Sequence, residues 1–181
     1  MSDINIIGSG LAGPLLAILL SKNSNNITLF EKRKDIRRNI MSAGRSINLA
    51  LSHRGIKALK KANVFDEVKE GLIPMKGRMI HDINGRTNYQ PYSIHSNQYI
   101  NSVSRSTLNK ILLNKAESID NIKINFEHSL QEIKNDKLIF ENTINHTIKD
   151  KIVFGTDGIN STVRAYIDSE VHEKSYIKPL G

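Results

Sequence analysis

A chain of 181 residues with 39% apolar and 24% charged residues is composed as a folded domain and is long enough to bury one core, which sets disorder aside. It has no cysteine, so a disulfide framework, a thiolate metal site and a cysteine nucleophile are all excluded. The formal charge of +8 is scattered, with no aromatic RNA-binding sequence or helix-turn-helix pattern beside it, and no nucleic-acid partner is expected.

The first thirty residues read as strand, helix and strand. Ile4, Ile6 and Ile7 make a short buried strand, residues 11–21 a helix with Pro14 tolerated in its first turn, and residues 27–30 a second strand. Such a unit implies parallel strands. Residues 11–20 are the longest apolar stretch, about half of a membrane span. With no basic targeting region at the start, the expected location is cytoplasmic, without a membrane segment. A strand over 46–51, helices over 53–62 and 64–69, and a β-hairpin over 75–92 follow, the last around Asn84-Gly85, a dipeptide suited to a two-residue type I′ turn. Residues 99–103 predict a strand and 106–117 a helix with Leu108, Ile111, Leu112 and Ala116 on one stripe. Strands over 122–126 and 137–141 bracket a turn at Asn135-Asp136, and a strand over 151–154 leads into Gly155-Thr156-Asp157-Gly158.

Gly8-Ser9-Gly10-Leu11-Ala12-Gly13 fits G-x-G-x-x-G between an apolar strand and a helix. In that setting Gly8 makes the tight turn, Gly10 admits a pyrophosphate to the backbone, and Gly13 lets the helix close on the sheet, with the phosphates at the positive end of the helix. Glu31 ends the next strand eighteen residues beyond Gly13, where an acid accepts hydrogen bonds from adenosine ribose hydroxyls. The motif does not choose between NAD and FAD.

Four further blocks bear on that choice: residues 43–55 (AGRSINLALSHRG), 74–82 (PMKGRMIHD), 102–109 (SVSRSTLN) and 155–164 (GTDGINSTVR). In order and spacing they resemble the kynurenine 3-monooxygenase family of FAD-dependent aromatic-ring hydroxylases, over residues 3–164. The resemblance implies a Rossmann-like, three-layer α/β FAD-binding domain with a parallel sheet across 1–181, carrying the start of a β-sheet substrate domain at 73–101. It further implies that NADPH reduces the FAD and that O2 supplies one hydroxyl to L-kynurenine, a step of tryptophan catabolism. Carried over by position, the cofactor residues are Gly8, Gly10, Ala12, Gly13, Phe30, Glu31, Lys32, Arg33, Ala50, Arg105, Leu130, Asp157 and Thr162, and the substrate residues are Arg78 and Tyr92.

Arg78 suits an α-carboxylate and Tyr92 a hydrogen bond or ring contact. A two-residue turn would pair Arg78 with Pro91 and set Tyr92 opposite Gly77, on the other face of the ribbon. Both could then reach one ligand only through a bulge or break, for which Pro91 is the natural place. Arg105, near a helix start where positive charge is unfavourable, and Asp157, in an Asp-Gly loop, are read as cofactor contacts. The six histidines lack metal-site spacing and no nucleophile motif occurs, so neither a metal nor a catalytic side chain is expected. The family's second flavin motif is absent and residues 169–181 resemble the family poorly. The chain is therefore expected to be incomplete at its C-terminus, to need the missing half as a partner, and by itself to bind FAD weakly and hydroxylate little. A related flavin hydroxylase and a non-catalytic cofactor-binding remnant stand as alternatives.

Overall fold

The computed structural model describes residues 3–23, 26–38, 47–95, 97–141 and 145–170. Residues 43–46 of the first family block, His172 and the rest of 171–181 lie outside that set. The chain divides into two compact units, Met1–Ile40 with Leu113–Gly181, and Met41–Leu112.

The first unit is built on a parallel sheet in the order β12-β1-β2-β8, formed by β1 (Asp3–Ile7), β2 (Asn26–Glu31), β8 (Ile122–Phe126) and β12 (Ile152–Gly155). Ile4 lies opposite Ile27 and Ile6 opposite Leu29, so these four share a face, against which helix α1 (Ala12–Ser21) buries Ala17 and Ile18. Ile7 and Phe30 occupy the other face. They join Ile133, Leu138, Phe140 and Val163 in one cluster, contributed by the antiparallel sheet of β9 (Leu130–Lys134), β10 (Lys137–Phe140) and β11 (Asn145–Thr147) and by helix α5 (Thr162–Glu170). Helix, parallel sheet and antiparallel sheet make the three layers expected of an α/β fold.

Three features of this unit depart from the sequence reading. The strand over 122–126 does not pair across the Asn135-Asp136 turn; it is the parallel edge beside β2, and β10 pairs with β9. Strand β9 escapes a period-two search because its apolar residues, Leu130 and Ile133, are three apart. They face partners two apart, Phe140 and Leu138, because the register shifts between Ile139 and Phe140, the signature of a bulge. Helix α5 (Thr162–Glu170) forms where no element was expected.

The second unit holds an antiparallel sheet, β3-β7-β4, made of β3 (Asn48–Leu51), β4 (Ile73–Met75) and β7 (Ile100–Ser104), helices α2 (His53–Lys61) and α3 (Phe65–Lys69), and the ribbon of β5 (Gly77–His81) and β6 (Thr87–Pro91). Ser52 caps α2 through the Gly55 amide. The helix stops because Asn63 takes φ +55° and the Asn63 and Val64 amides turn back to the carbonyls of Lys60 and Leu59, a Schellman ending. Helix α4 (Arg105–Glu117) follows β7 directly, and the division between the units falls within it.

The β5–β6 ribbon corrects the expected turn. Among the described residues, positive φ outside glycine occurs at Asn63, Glu127, Asn135, Asp136 and Asp150, so Asn84 does not take the conformation that a type I′ turn requires. Instead the Gly85 amide bonds the Asp82 carbonyl (3.1 Å), Gly85 alone takes φ +77°, and the Asp82 amide bonds the Arg86 carbonyl (3.0 Å). This is a three-residue loop, a turn closed by a left-handed glycine. Asp82 Oδ1 favours it by accepting the amides of Asn84 (2.9 Å) and Arg86 (2.8 Å).

Candidate functional site

The turn between β1 and α1 is shaped by what its glycines exclude. At Gly8, with φ +95°, an added Cβ would lie 2.6 Å from the Thr156 carbonyl oxygen, and at Gly13 it would lie 2.0 Å from the carbonyl oxygen of Gly8. Both positions admit glycine alone. Around Gly10 a Cβ would meet nothing within 4 Å, so the middle of the turn opens onto free space at the head of α1, where no side chain caps the helix. Backbone amides with an open approach at a helix start are what a phosphate group requires. Ala12, the first residue of α1, is exposed beside them.

Glu31 closes β2 and turns its carboxylate into this glycine turn, although only 4% of the residue is exposed. Oε2 accepts the Ser9 amide (2.8 Å) and hydroxyl (3.0 Å), while Oε1 accepts the Arg33 amide (3.0 Å) and Nε (2.8 Å). Burial by itself would raise the Glu31 pKa. The Arg33 side chain, the amides of Ser9 and Arg33 and the Arg33 charge outweigh it, and the carboxyl titrates below its ordinary value. It is therefore an anion at neutral pH. Four bonds use the four acceptor positions of a carboxylate, so a further hydroxyl binds Glu31 by replacing one of them.

Phe30 serves the turn through its backbone: its carbonyl holds the Gly8 amide (2.8 Å), and its ring packs on Phe140 (centroids 4.8 Å apart) and His146 (5.3 Å). Lys32 and Arg33 are exposed. In the basic run that follows, Arg37 is paired with two acids. Arg37 chelates Asp35 through Nε (2.9 Å) and Nη2 (2.7 Å), reaches both oxygens of Glu117, and lies 5.7 Å over the Phe126 ring.

Leu130, Asp157 and Thr162 come together at the start of α5. Asp157 Oδ2 accepts the Thr162 amide (2.8 Å), its Oδ1 accepts the Ser161 hydroxyl (2.6 Å), and Thr162 Oγ1 donates to the Leu130 carbonyl (3.4 Å). Both Asp157 oxygens thus serve the helix start, with Ser161 Oγ capping the Arg164 amide (3.0 Å).

Ala50, Arg78, Tyr92 and Arg105 belong to the other unit. Ala50 lies opposite Ser102 in the β3–β7 pair, and Arg105, exposed, opens α4. On the ribbon the three-residue loop moves every pair by one: Arg78 faces Gln90 and hydrogen-bonds it (Nε to Oε1, 2.8 Å), and the Tyr92 amide bonds the Lys76 carbonyl (3.0 Å). Residues 76 and 78 share a face, so Tyr92 sits on the same side of the ribbon as Arg78, without the break at Pro91 that the sequence register demanded.

The whole chain, residues 1–181, matches the family described as FAD binding domain. The chain belongs to that family. Open space at Gly10 and an ionised Glu31 facing the turn are the features of this FAD-binding domain that fit the adenosine and pyrophosphate of the cofactor. Its sequence is 50% identical over 133 residues to kynurenine 3-monooxygenase of Legionella pneumophila, covering 74% of this chain and 30% of that protein. With the kynurenine 3-monooxygenase of Cytophaga hutchinsonii it shares 40% over 186 residues, 98% of this chain and 41% of that one. The chain thus resembles part of these enzymes and spans less than half their length. Among solved structures, the tetrameric form of 2-methyl-3-hydroxypyridine-5-carboxylic acid oxygenase superposes with a TM-score of 0.72 at 22% identity, over 92% of this chain and 42% of that one. The tetracycline destructase Tet(51) does so at 0.64 and 16%, over 91% and 40%. At such identities the likeness is one of fold.

Within the described residues, no helix is long and apolar enough to cross a membrane, and no group of three or more histidines and acids could hold a metal ion. Sequence reasoning passed over Ser9, Thr156, Ser161 and Arg37. Ser9 lay inside the fingerprint as a variable position, Thr156 and Ser161 inside the last family block, and Arg37 in a run that looked merely basic.

Proposed function

We propose that this chain carries the adenosine and pyrophosphate portion of the FAD site in an NADPH-consuming monooxygenase that hydroxylates L-kynurenine to 3-hydroxykynurenine. The observation that carries the cofactor reading is the open glycine turn at the head of α1 with an ionised, buried Glu31 aimed into it. What supports the substrate is the identity to proteins named for that reaction.

In this reading the amides around Gly10 and Ala12 receive the pyrophosphate, and a ribose hydroxyl replaces the Ser9 hydroxyl on Glu31. Arg33 keeps Glu31 charged, and Lys32 and Arg33 border the adenosine. Leu130, Thr162 and the first turn of α5, fixed by Asp157, contribute from the same unit; Ala50 and Arg105 are taken as cofactor residues from the family resemblance alone. FAD, when bound, supplies the redox chemistry by which NADPH and O2 are consumed. Arg78 receives the α-carboxylate of the substrate, and Tyr92, on the same face of the ribbon, adds a hydrogen bond or a ring contact.

Titration of the chain with FAD, followed by flavin fluorescence, is expected to show saturable binding that ADP competes away. Glu31→Gln should weaken it by about tenfold or more, the worth of a hydrogen bond to a charged group. Lack of saturable binding, or an unaltered affinity in Glu31→Gln, would overturn the cofactor reading. For the substrate, Arg78→Ala in a protein spanning the full length of the curated relatives is expected to raise KM for L-kynurenine and leave that for NADPH unchanged. An unaltered KM for L-kynurenine would reassign the enzyme to another aromatic acid.

A further inference from the structure

Thr156 stands where the loop opening α1 crosses the loop opening α5. Its amide donates to the Ile7 carbonyl (2.8 Å), and its hydroxyl lies 2.9 Å from that oxygen and 2.7 Å from the carbonyl oxygen of Gly8. A Cβ on Gly13 would come within 2.9 Å of the same hydroxyl. The side chain therefore fills the space between the first and last glycines of the turn.

The Gly8 carbonyl belongs to the Gly8–Ser9 peptide, whose amide donates to Glu31 Oε2 at 2.8 Å. A peptide is planar, so holding its oxygen on one side and its N–H on the other fixes the plane. One edge is held by Thr156 and the other by Glu31, residues brought from the ends of β12 and β2. The next peptides of the turn hang from this plane, and a Cβ on Gly10 would meet nothing within 4 Å.

We propose that Thr156 is a positioning residue for the phosphate site: its hydroxyl pins the Gly8–Ser9 peptide against Glu31, and so sets the aim of the amides at the head of α1. This rests on the FAD reading for its ligand but not for its geometry. Valine at 156 keeps the branched shape and removes the hydroxyl, whereas serine keeps the hydroxyl.

In the ligand-free chain, amide hydrogen exchange at Ser9 is expected to accelerate by about tenfold in Thr156→Val, the loss of one buried hydrogen bond, and to return to near the wild-type rate in Thr156→Ser. Affinities for FAD and ADP should fall by about fivefold to tenfold in Thr156→Val and recover in Thr156→Ser. Combined with Glu31→Gln, the valine substitution should cost much less than it does alone, because the second anchor of the peptide is already weakened. Unchanged exchange at Ser9, no rescue by serine, or strictly additive losses in the double variant would overturn the proposal. A wild-type chain that binds neither FAD nor ADP would sink the cofactor reading instead, leaving exchange at Ser9 to decide the role of Thr156. Should Thr156→Val not fold, Thr156→Ala removes the hydroxyl without added bulk and is read in the same way.

Discussion

Two hairpins in this chain are closed by an asparagine-led dipeptide, Asn84-Gly85 between β5 and β6 and Asn135-Asp136 between β9 and β10. Only the second makes the two-residue turn, with φ of +49° and +53° and Lys134 paired to Lys137. The first uses the better dipeptide yet forms the longer loop, because Asp82 accepts two loop amides and stabilises the three-residue alternative. Their surroundings differ as much as their turns. β9 and β10 bury Ile133, Leu138 and Phe140 against Ile7 and Phe30, directly behind the glycine turn and Glu31, whereas every residue of β6 is exposed. A hairpin's register thus follows from local carboxylates or from the core it covers, and the dipeptide between its strands is one vote among several. The extra loop residue brings Arg78 and Tyr92, the proposed substrate residues, to one face.

The contrast in burial can be broken by truncation. Phe140→Ala is expected to destabilise the chain by about 3–5 kcal/mol, the usual loss for a buried phenylalanine, and Tyr89→Ala, on the exposed ribbon, by about 0.5 kcal/mol or less. Urea denaturation measures both. Comparable losses at the two sites would mean that the ribbon is packed in solution and the comparison fails.

The contrast in turns predicts opposite signs. Gly85→Ala forces a Cβ into a left-handed position and should cost about 1–2 kcal/mol. Asp136→Gly relieves a residue already there and should stabilise by up to about 1 kcal/mol. If Gly85→Ala proved neutral by the same assay, the three-residue loop would be wrong.

A smaller difference concerns pH. His146, opposite Leu138 on β11, has its pKa lowered, first by burial and then by the Lys151 charge, with Lys123 adding to this and Asp3 opposing. The unfolded chain therefore takes up this proton at a higher pH than the folded one. The His146 contribution to stability is intact above the ordinary histidine value and is lost as pH falls from there through the lowered folded value. His146→Phe should flatten that part of the pH–stability curve; an unchanged slope would show that another group is responsible.

Much of the glycine turn is legible in the sequence because its signals are local. β1, the glycines, α1, β2 and Glu31 occupy one run of about thirty residues, and the apolar strands, a helix with proline in its first turn and a terminal acid each carry their own mark. Strand β9 was not legible, since a bulge turns period two into a spacing of three that resembles a helix. The pairing of Arg78 with Gln90 was misjudged by one residue because the carboxylate that sets the loop, Asp82, lies outside the dipeptide that announced it.

By itself the sequence determined the strand-helix-strand unit of residues 3–31, the glycine turn within it and the acid that faces the turn, because helix starts, glycine freedom and hydrophobic periodicity act between near neighbours. Only the tertiary structure decided which carbonyls Thr156 holds across 148 and 149 residues of chain, and that Arg37 joins the segment after β2 to α4. Such contacts form where strands from distant parts of the chain end side by side, and no spacing along the chain encodes that adjacency.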